Sequence, residues 1–181
     1  LIIVSEFCKL KKINYFYFSK LNNFQKESLK FMKIDQARFI DSNKLRHIES
    51  EKLIAVTHPN YFKKTIFFAH SNLPKWIIYS LKNIFLKKKV KKSFYKKIFI
   101  DRSDSTQKHC KLINNNKVII FLKKKGFKIL QLNKIKFFNQ ISIFKNCKEI
   151  IAPHGAGLAN LTFCKSGTKV SEIIPKNIKN N

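Results

Sequence analysis

No pair of cysteines in this sequence has the CxxC spacing of a zinc site, and no apolar run reaches the roughly 18 residues that a membrane-spanning helix needs. The four cysteines therefore indicate neither a metal site nor a disulfide framework. The opening segment LIIVSEFCKL has no basic leader and no small-residue cleavage site, so we do not interpret it as a signal peptide. We expect a cytoplasmic protein, and the leucine at position 1 suggests a fragment whose upstream part is missing.

Arginine is also scarce, and this changes the meaning of a large positive charge. The formal net charge of +28 is typical of a nucleic-acid-binding protein. Only Arg38, Arg46 and Arg102 are arginines, however, so 38 − 3 = 35 of the basic residues are lysines. Lysine, phenylalanine, isoleucine and asparagine share AT-rich codons, and a biased genome explains their abundance equally well. We therefore rank nucleic-acid binding low and expect at most peripheral contact of the lysines with an anionic membrane.

Strand and helix patterns predict an α/β fold. In the first half, NFQKESLKFMKI predicts a helix capped by Asn23, RFIDS and KLIAVTH predict short strands, and Pro74 precedes a second helix. After a lysine-rich stretch, apolar strands alternate with helices of about ten residues, which indicates βαβ units. We predict a Rossmann-like parallel sheet with helices on both faces. The predicted boundaries are 1–86 for an N-terminal portion, 87–97 for a basic connector, 98–175 for the Rossmann-like domain and 176–181 for a tail.

Three of the four glycines fall within thirteen residues, in the segment EIIAPHGAGLANLTFCKSGTKVSEII. Ligands of open parallel sheets collect at the carboxyl ends of the strands. A turn from such a strand into a helix offers amide hydrogens that lack partners, and Gly155 and Gly157 allow close approach, so a diphosphate fits. A tight turn with close helix–sheet packing explains the glycines equally well. For the diphosphate interpretation, we expect Gly157→Asp to abolish binding while barely changing the fold.

Arg102 and Glu172 are each open to two interpretations. Arg102 follows the predicted strand IFID, and a retained arginine suggests bidentate binding of phosphate or carboxylate; an ion pair with Asp101 or Asp104 is the alternative. Glu172 lies in a strand otherwise suited to burial. Its carboxylate could accept hydrogen bonds from ligand hydroxyls, or it could pair with a neighbouring lysine.

The combination of IFIDRSDS with EIIAPHGAGLANLTFCKSGTKVSEIIP resembles the catalytic domain of glycosyltransferase family 61. Upstream segments are also similar to that family, so the resemblance covers most of residues 12–175. It implies the C-terminal half of a GT-B enzyme, which transfers a sugar from a nucleotide sugar to a glycan or glycoprotein acceptor with inversion, in polysaccharide or glycan biosynthesis. No cofactor or metal is expected.

The resemblance also implies site residues. Those expected to bind the donor are Arg102, His154, Gly155, Ala156, Gly157, Asn160 and Glu172. Inversion requires a general base, for which Asp104 and His58 are candidates. The chain departs from the family pattern at Lys165-Ser166, where proline is usual, and at Asn115 or Asn116, where acid or arginine is expected. A catalytically inactive remnant of such an enzyme is therefore the alternative function.

Overall fold

The computed structural model describes residues 1–7, 9–56, 73–87, 93–103, 110 and 112–175. The chain divides into two compact units, Leu1–Phe85 and Leu86–Asn181. Within the described ranges, no helix is both long enough and apolar enough to cross a membrane.

The first unit contains a small parallel sheet. Strands β1 (Phe16–Phe18) and β2 (Phe39–Asp41) pair in parallel, with Phe16 opposite Phe39. Among the residues that the structure describes, its α-helices are α1 (Ile2–Phe7), α2 (Asn23–Phe31) and α3 (Lys75–Leu86), the last of which ends at the boundary of the unit. Phe16, Leu29 and Ile34 form one buried cluster in this unit, and Ile77 and Phe85 of α3 are also buried. Parallel pairing requires a crossover, and α2 supplies it between the two strands.

The predictions for the first unit are correct in part. The helix α2 begins as expected, but its N-cap is Asn22 rather than Asn23, and the Asn22 amide donates to Gln25 Oε1 at 2.8 Å. The segment RFIDS does form β2. The predicted strand KLIAVTH is wrong over its described residues, because 52–56 have no regular structure, and 57–58 lie outside the described residues.

The second unit is a four-stranded sheet with every strand pair parallel. Its strands are β3 (Lys97–Ile100), β4 (Lys128–Leu130), β5 (Glu149–Pro153) and β6 (Lys169–Ile173), in the order β4-β3-β5-β6. The α/β class and the parallel sheet are therefore confirmed. The predicted connector 87–97 includes residues 88–92, which are outside the described part, and its last residue, Lys97, already belongs to β3.

Two helices connect these strands. Helix α4 (Asn115–Lys124) lies between β3 and β4, and α5 (Phe137–Asn146) lies between β4 and β5. Leu122 of α4 packs with Phe99 and Phe127 in one buried cluster. The chain moves outward from β3 to β4 and then returns to the other side of β3, so right-handed crossovers place the two helices on opposite faces. This reversal makes the carboxyl ends of β3 and β5 the topological switch point of the sheet.

Cys147, directly after α5, is a core residue with 3% of its surface exposed. Its thiol donates to the carbonyl oxygens of Lys96 and Glu149 at 3.2 and 3.0 Å. Burial raises the pKa of the Cys147 thiol, because the thiolate would lose its hydration. Cys164, by contrast, is half-buried.

We expect iodoacetamide to label Cys147 on the order of 100-fold more slowly than Cys164 in the folded protein, because the thiolate is the reactive form. Peptide mapping by mass spectrometry after timed labelling measures both rates. Labelling in concentrated guanidinium chloride is the control, since it exposes every cysteine. Equal rates for the two thiols in the folded state would contradict the burial of Cys147.

Candidate functional site

Two chain segments meet at the switch point of the second unit. The chain leaves β3 at Ile100 and continues through Asp101 and Arg102, and it leaves β5 at Pro153 into the glycine turn. Because β3 and β5 are adjacent and parallel, both segments emerge at the same edge of the sheet. The predicted site residues of this unit are therefore assembled by the strand order.

Arg102 contacts the backbone of the glycine turn. Its guanidinium Nη1 donates a hydrogen bond to the carbonyl oxygen of His154. Gly155 has φ +146° and ψ −178°, a conformation that is essentially restricted to glycine. A Cβ added at Gly155 would overlap the Arg102 guanidinium, so glycine is needed here both for the backbone conformation and for the close approach. The predicted ion pair with Asp101 does not form, while Asp104 is outside the described residues.

The turn leads into a 3₁₀ helix, Ala156–Phe163. Its first hydrogen bond runs from the Leu158 amide to the Gly155 carbonyl at 3.0 Å. The amides of Ala156 and Gly157 precede that bond, and neither donates to any residue that the structure describes. Ala156 is exposed at the surface. The helix start thus offers amide hydrogens beside the Arg102 guanidinium, an arrangement that suits an anion.

Gly157 lies on the side of the 3₁₀ helix that packs against the sheet, and not on the side that faces solvent. A Cβ at Gly157 would lie 3.0 Å from Leu132 Cδ1 and 3.6 Å from Ile100 Cγ2, so the position faces the apolar layer of the sheet. An aspartate there would place a carboxylate against apolar side chains. From this packing we expect Gly157→Asp to disturb the fold around the 3₁₀ helix, whereas the sequence alone led us to expect little change.

Asn160 is held by the protein itself. Its side-chain amide donates to Gln140 Oε1 at 3.1 Å and to the Gly157 carbonyl at 3.3 Å. Gln140, 9% exposed, is fixed in turn by donating to the carbonyl oxygens of Leu132 and Ile135, each at 2.8 Å. Asn160 thus connects the 3₁₀ helix to α5, and its side-chain amide hydrogens are engaged at the base of the turn.

His154 and Glu172 form a pair at the ends of β5 and β6. The His154 Nδ1 lies 2.7 Å from Glu172 Oε1. Strand register explains the contact: Glu172 is opposite Ala152, and side chains two residues apart on a strand share a face. The His154 amide also donates to the Ile173 carbonyl at 2.9 Å, which extends the ladder past Pro153. Of the two interpretations of Glu172, the lysine pair is not found among the described residues, because the carboxylate engages the histidine.

Asp101 is the residue that the sequence analysis missed. Only 5% of it is exposed, and its carboxylate accepts four hydrogen bonds. Oδ1 accepts from the Ser103 amide at 3.0 Å and Asn115 Nδ2 at 3.1 Å, and Oδ2 accepts from Ser103 Oγ at 2.7 Å and Gln131 Nε2 at 2.9 Å. Burial by itself raises the pKa of the carboxyl, but these bonds together outweigh burial, and the pKa lies below its usual range.

The Asp101 network fixes the segment that carries Arg102. Asp101 and Ser103, the two neighbours of Arg102 in the chain, are hydrogen-bonded to each other. Asp101 also accepts from Asn115, the first residue of α4, and from Gln131, which follows β4. One sequence feature points to this role of Asp101: an acidic residue directly follows an apolar strand, and the next helix begins with asparagine. From the sequence alone, Asp101 is a candidate only for an ion pair with Arg102.

A separate groove lies at the amino ends of β3, β5 and β6. Its volume is about 760 Å³, and its lining includes Lys96, Lys97, Cys147, Lys148, Lys165 and Lys169. None of the predicted donor-binding residues lines this groove, because they belong to the opposite edge of the sheet.

The two candidates for a general base, His58 and Asp104, both lie outside the described residues. Among the side chains that the structure describes, no three His, Cys, Asp or Glu residues are grouped closely enough to hold a metal ion.

The glycine turn, the arginine after β3 and the parallel sheet are the features on which the family resemblance depends. A family model described as Glycosyltransferase 61 matches residues 1–171 of this chain. The chain belongs to the glycosyltransferase 61 family. The family match includes both units, and it makes the chain a relative of enzymes that transfer sugars. Searches of curated proteins and of solved structures found no match.

Sugar transfer from an activated donor releases an anionic leaving group, and amide hydrogens and guanidinium groups are the donors that stabilise such a charge. Arg102, through its contact with the His154 carbonyl, brings a guanidinium group to the glycine turn, and the 3₁₀ helix that follows the turn begins with amide hydrogens.

Proposed function

We propose that the second unit binds a nucleotide-sugar donor, with the donor diphosphate at the glycine turn, and that the chain transfers the sugar to a glycan or protein acceptor with inversion. The observation that carries the proposal is the contact of the Arg102 guanidinium with the backbone of that turn. The amides of Ala156 and Gly157 follow in the same turn and donate to no residue that the structure describes, which supports an anion at this turn.

The chemistry that this site supports is stabilisation of the leaving group. As the bond between the anomeric carbon and the diphosphate oxygen breaks, negative charge grows on the diphosphate. Each aimed donor lowers the barrier by on the order of 3 kcal/mol. Arg102 supplies a cation in this role, so the proposed reaction needs no resident metal. The acceptor hydroxyl attacks the opposite face of the sugar and loses its proton to a base, for which Asp104 and His58 stay predictions.

The wider setting follows from the family and is part of the same proposal. We place the activity in polysaccharide or glycan biosynthesis, on the cytoplasmic side, with a GT-B arrangement and at most peripheral contact with an anionic membrane. The inactive remnant is the alternative that binds a donor without turning it over.

Arg102→Gln tests the proposed diphosphate site. We expect the affinity for nucleoside diphosphate sugars to fall roughly 10- to 100-fold, because hydrogen bonds to a charged group contribute about 1.5–3 kcal/mol. Titration calorimetry with UDP-glucose, ADP-glucose and GDP-mannose measures it, since these probes share the diphosphate. Arg102→Lys keeps the charge without the planar fork and should recover only part of the affinity.

Lys124→Gln is the matched control, because it removes the same charge from the exposed last turn of α4. Equal affinities for Arg102→Gln and the wild type would place the diphosphate elsewhere. If the protein binds nucleotide sugars but transfers no sugar to any of a range of acceptors, the chain is the catalytically inactive remnant.

A further inference from the structure

The pairing of His154 with Glu172 constrains which hydrogen bonds the imidazole can offer a ligand. An ionised carboxylate only accepts hydrogen bonds, so at a separation of 2.7 Å the His154 Nδ1 carries the hydrogen and donates to Glu172. This leaves Nε2 as the other polar atom of the ring. The His154 side chain is 51% exposed, and within the described part of the chain Nε2 has no hydrogen-bond partner.

The protonation state of the ring decides what Nε2 can bind. In the neutral ring with hydrogen on Nδ1, Nε2 is an acceptor, whereas in the imidazolium both nitrogens donate. The diphosphate of a nucleotide sugar is an acceptor only. A hydrogen bond between Nε2 and the diphosphate therefore requires a second proton on the ring.

We propose that binding of a donor diphosphate at the glycine turn takes up a proton on His154, and that Glu172 is a positioning residue that holds the imidazolium for this contact; the inference rests on the proposed function. His154 directly precedes Gly155, so its side chain stands at the diphosphate side of the sugar. In an inverting transfer the acceptor and its base are on the opposite face. The histidine thus adds positive charge at the leaving group.

Among the residues that the structure describes, two charged groups contact His154, and they act in opposite directions. Glu172, at the end of β6, favours the imidazolium through the 2.7 Å contact. Arg102, after β3, donates to the His154 carbonyl and disfavours a second positive charge nearby. A bound diphosphate neutralises that repulsion, which is why the proton is taken up with the ligand rather than before it.

Calorimetry in two buffers of different ionisation enthalpy measures the proton directly. We expect the wild type to take up between half and one proton at about pH 7.5, and its affinity to fall about tenfold between about pH 6 and about pH 8, as one linked histidine allows. UDP-glucose is the main probe, because its bridging diphosphate keeps its charge in this range. UDP is avoided, since its terminal phosphate titrates near neutral pH.

His154→Gln should bind with no proton uptake and with affinity independent of pH. Glu172→Gln should reduce both the uptake and the affinity, because the imidazolium loses its partner. Glu149→Gln is the matched control: Glu149 pairs with Lys97 at 3.2 Å at the other end of β5, and its side chain has the same 35% exposure as that of Glu172. It should change neither quantity.

The failures are distinguishable. Binding by the wild type without proton uptake would overturn the role of His154 and Glu172 and leave the proposed function standing. Proton release, or tighter binding at high pH, would also overturn it and would indicate a neutral histidine. No binding of UDP-glucose, ADP-glucose or GDP-mannose at any pH would overturn the proposed function itself.

Discussion

Gly155→Ala is expected to destabilise the protein by about 3 kcal/mol and to weaken nucleotide-sugar binding at least tenfold. The backbone at Gly155, with φ +146° and ψ −178°, costs an L-residue about 1–3 kcal/mol. The new Cβ would also overlap the Arg102 guanidinium, so the arginine must leave the His154 carbonyl. Urea unfolding measures the first effect and titration with UDP-glucose measures the second.

Gly167→Ala provides the control for backbone conformation alone. Gly167 has φ +80°, and nothing lies within 4 Å of a Cβ added there. The left-handed backbone should cost it only about 1 kcal/mol, and binding should not change. If the two alanine variants were equally stable and bound equally well, Gly155 would be an ordinary turn residue and the contact with Arg102 would have no role in binding.

Asp101→Asn is expected to cost about 3 kcal/mol of unfolding free energy at neutral pH. The carboxylate accepts four hydrogen bonds in a site that is 5% exposed, and an amide in its place presents two donors to groups that themselves donate. The Ser103 hydroxyl can rotate to accept a hydrogen bond from the new amide, so the loss of stability should be smaller than if the side chain were removed altogether. Because the segment that carries Arg102 is fixed by this network, binding of nucleotide sugars should weaken as well.

The lowered pKa of Asp101 adds a dependence on pH. Folding favours the ionised carboxylate, so its contribution is fully present above the pKa of an unfolded aspartate, about 4, and is lost as the pH falls through the folded-state pKa. The difference between wild type and Asp101→Asn should therefore be constant above about pH 5 and shrink in more acidic solution. Urea unfolding at a series of pH values measures it.

Asp41→Asn is the control, because the half-buried Asp41 accepts a hydrogen bond from the Asn43 amide at 2.9 Å in an exposed turn. Its cost should be about 0.5 kcal/mol, as for most surface positions. A difference that stays the same down to strongly acidic pH would show that the Asp101 carboxylate is not stabilised in its charged form.

The elements of the second unit were predictable because their signals are local. Apolar strands such as IFI and EIIAP alternate with amphipathic helices, and Gly126, directly after the C-cap of α4, has the φ of +80° with which glycine commonly ends a helix. In the first unit the apolar pattern was weaker. In α3, Trp76 is 39% exposed while Phe85 is buried; apolar residues occur on all sides of that helix, so periodicity cannot select its buried face.

The site was predictable as a set of residues but not as an arrangement. Arg102, His154, Gly155 and Glu172 were identified from their motif, yet the sequence left open whether the arginine meets an aspartate or whether Glu172 meets a lysine. Both questions depend on which strands are neighbours. The order β4-β3-β5-β6 brings Arg102 to the glycine turn and Glu172 to His154, and that order is set by packing across the sheet rather than by any local pattern.

The sequence alone determined the family, the α/β class and the position of the glycine turn, since each depends on residues close together in the chain. The tertiary structure decided the roles within the turn. Gly155 admits Arg102, and Gly157 packs on Ile100. Asp101, next to the arginine, is held by Asn115 and Gln131, which lie 14 and 30 residues away from it along the chain. The physical reason is that a hydrogen bond or a close contact is specified by distance in space, and only the folded sheet brings these groups together.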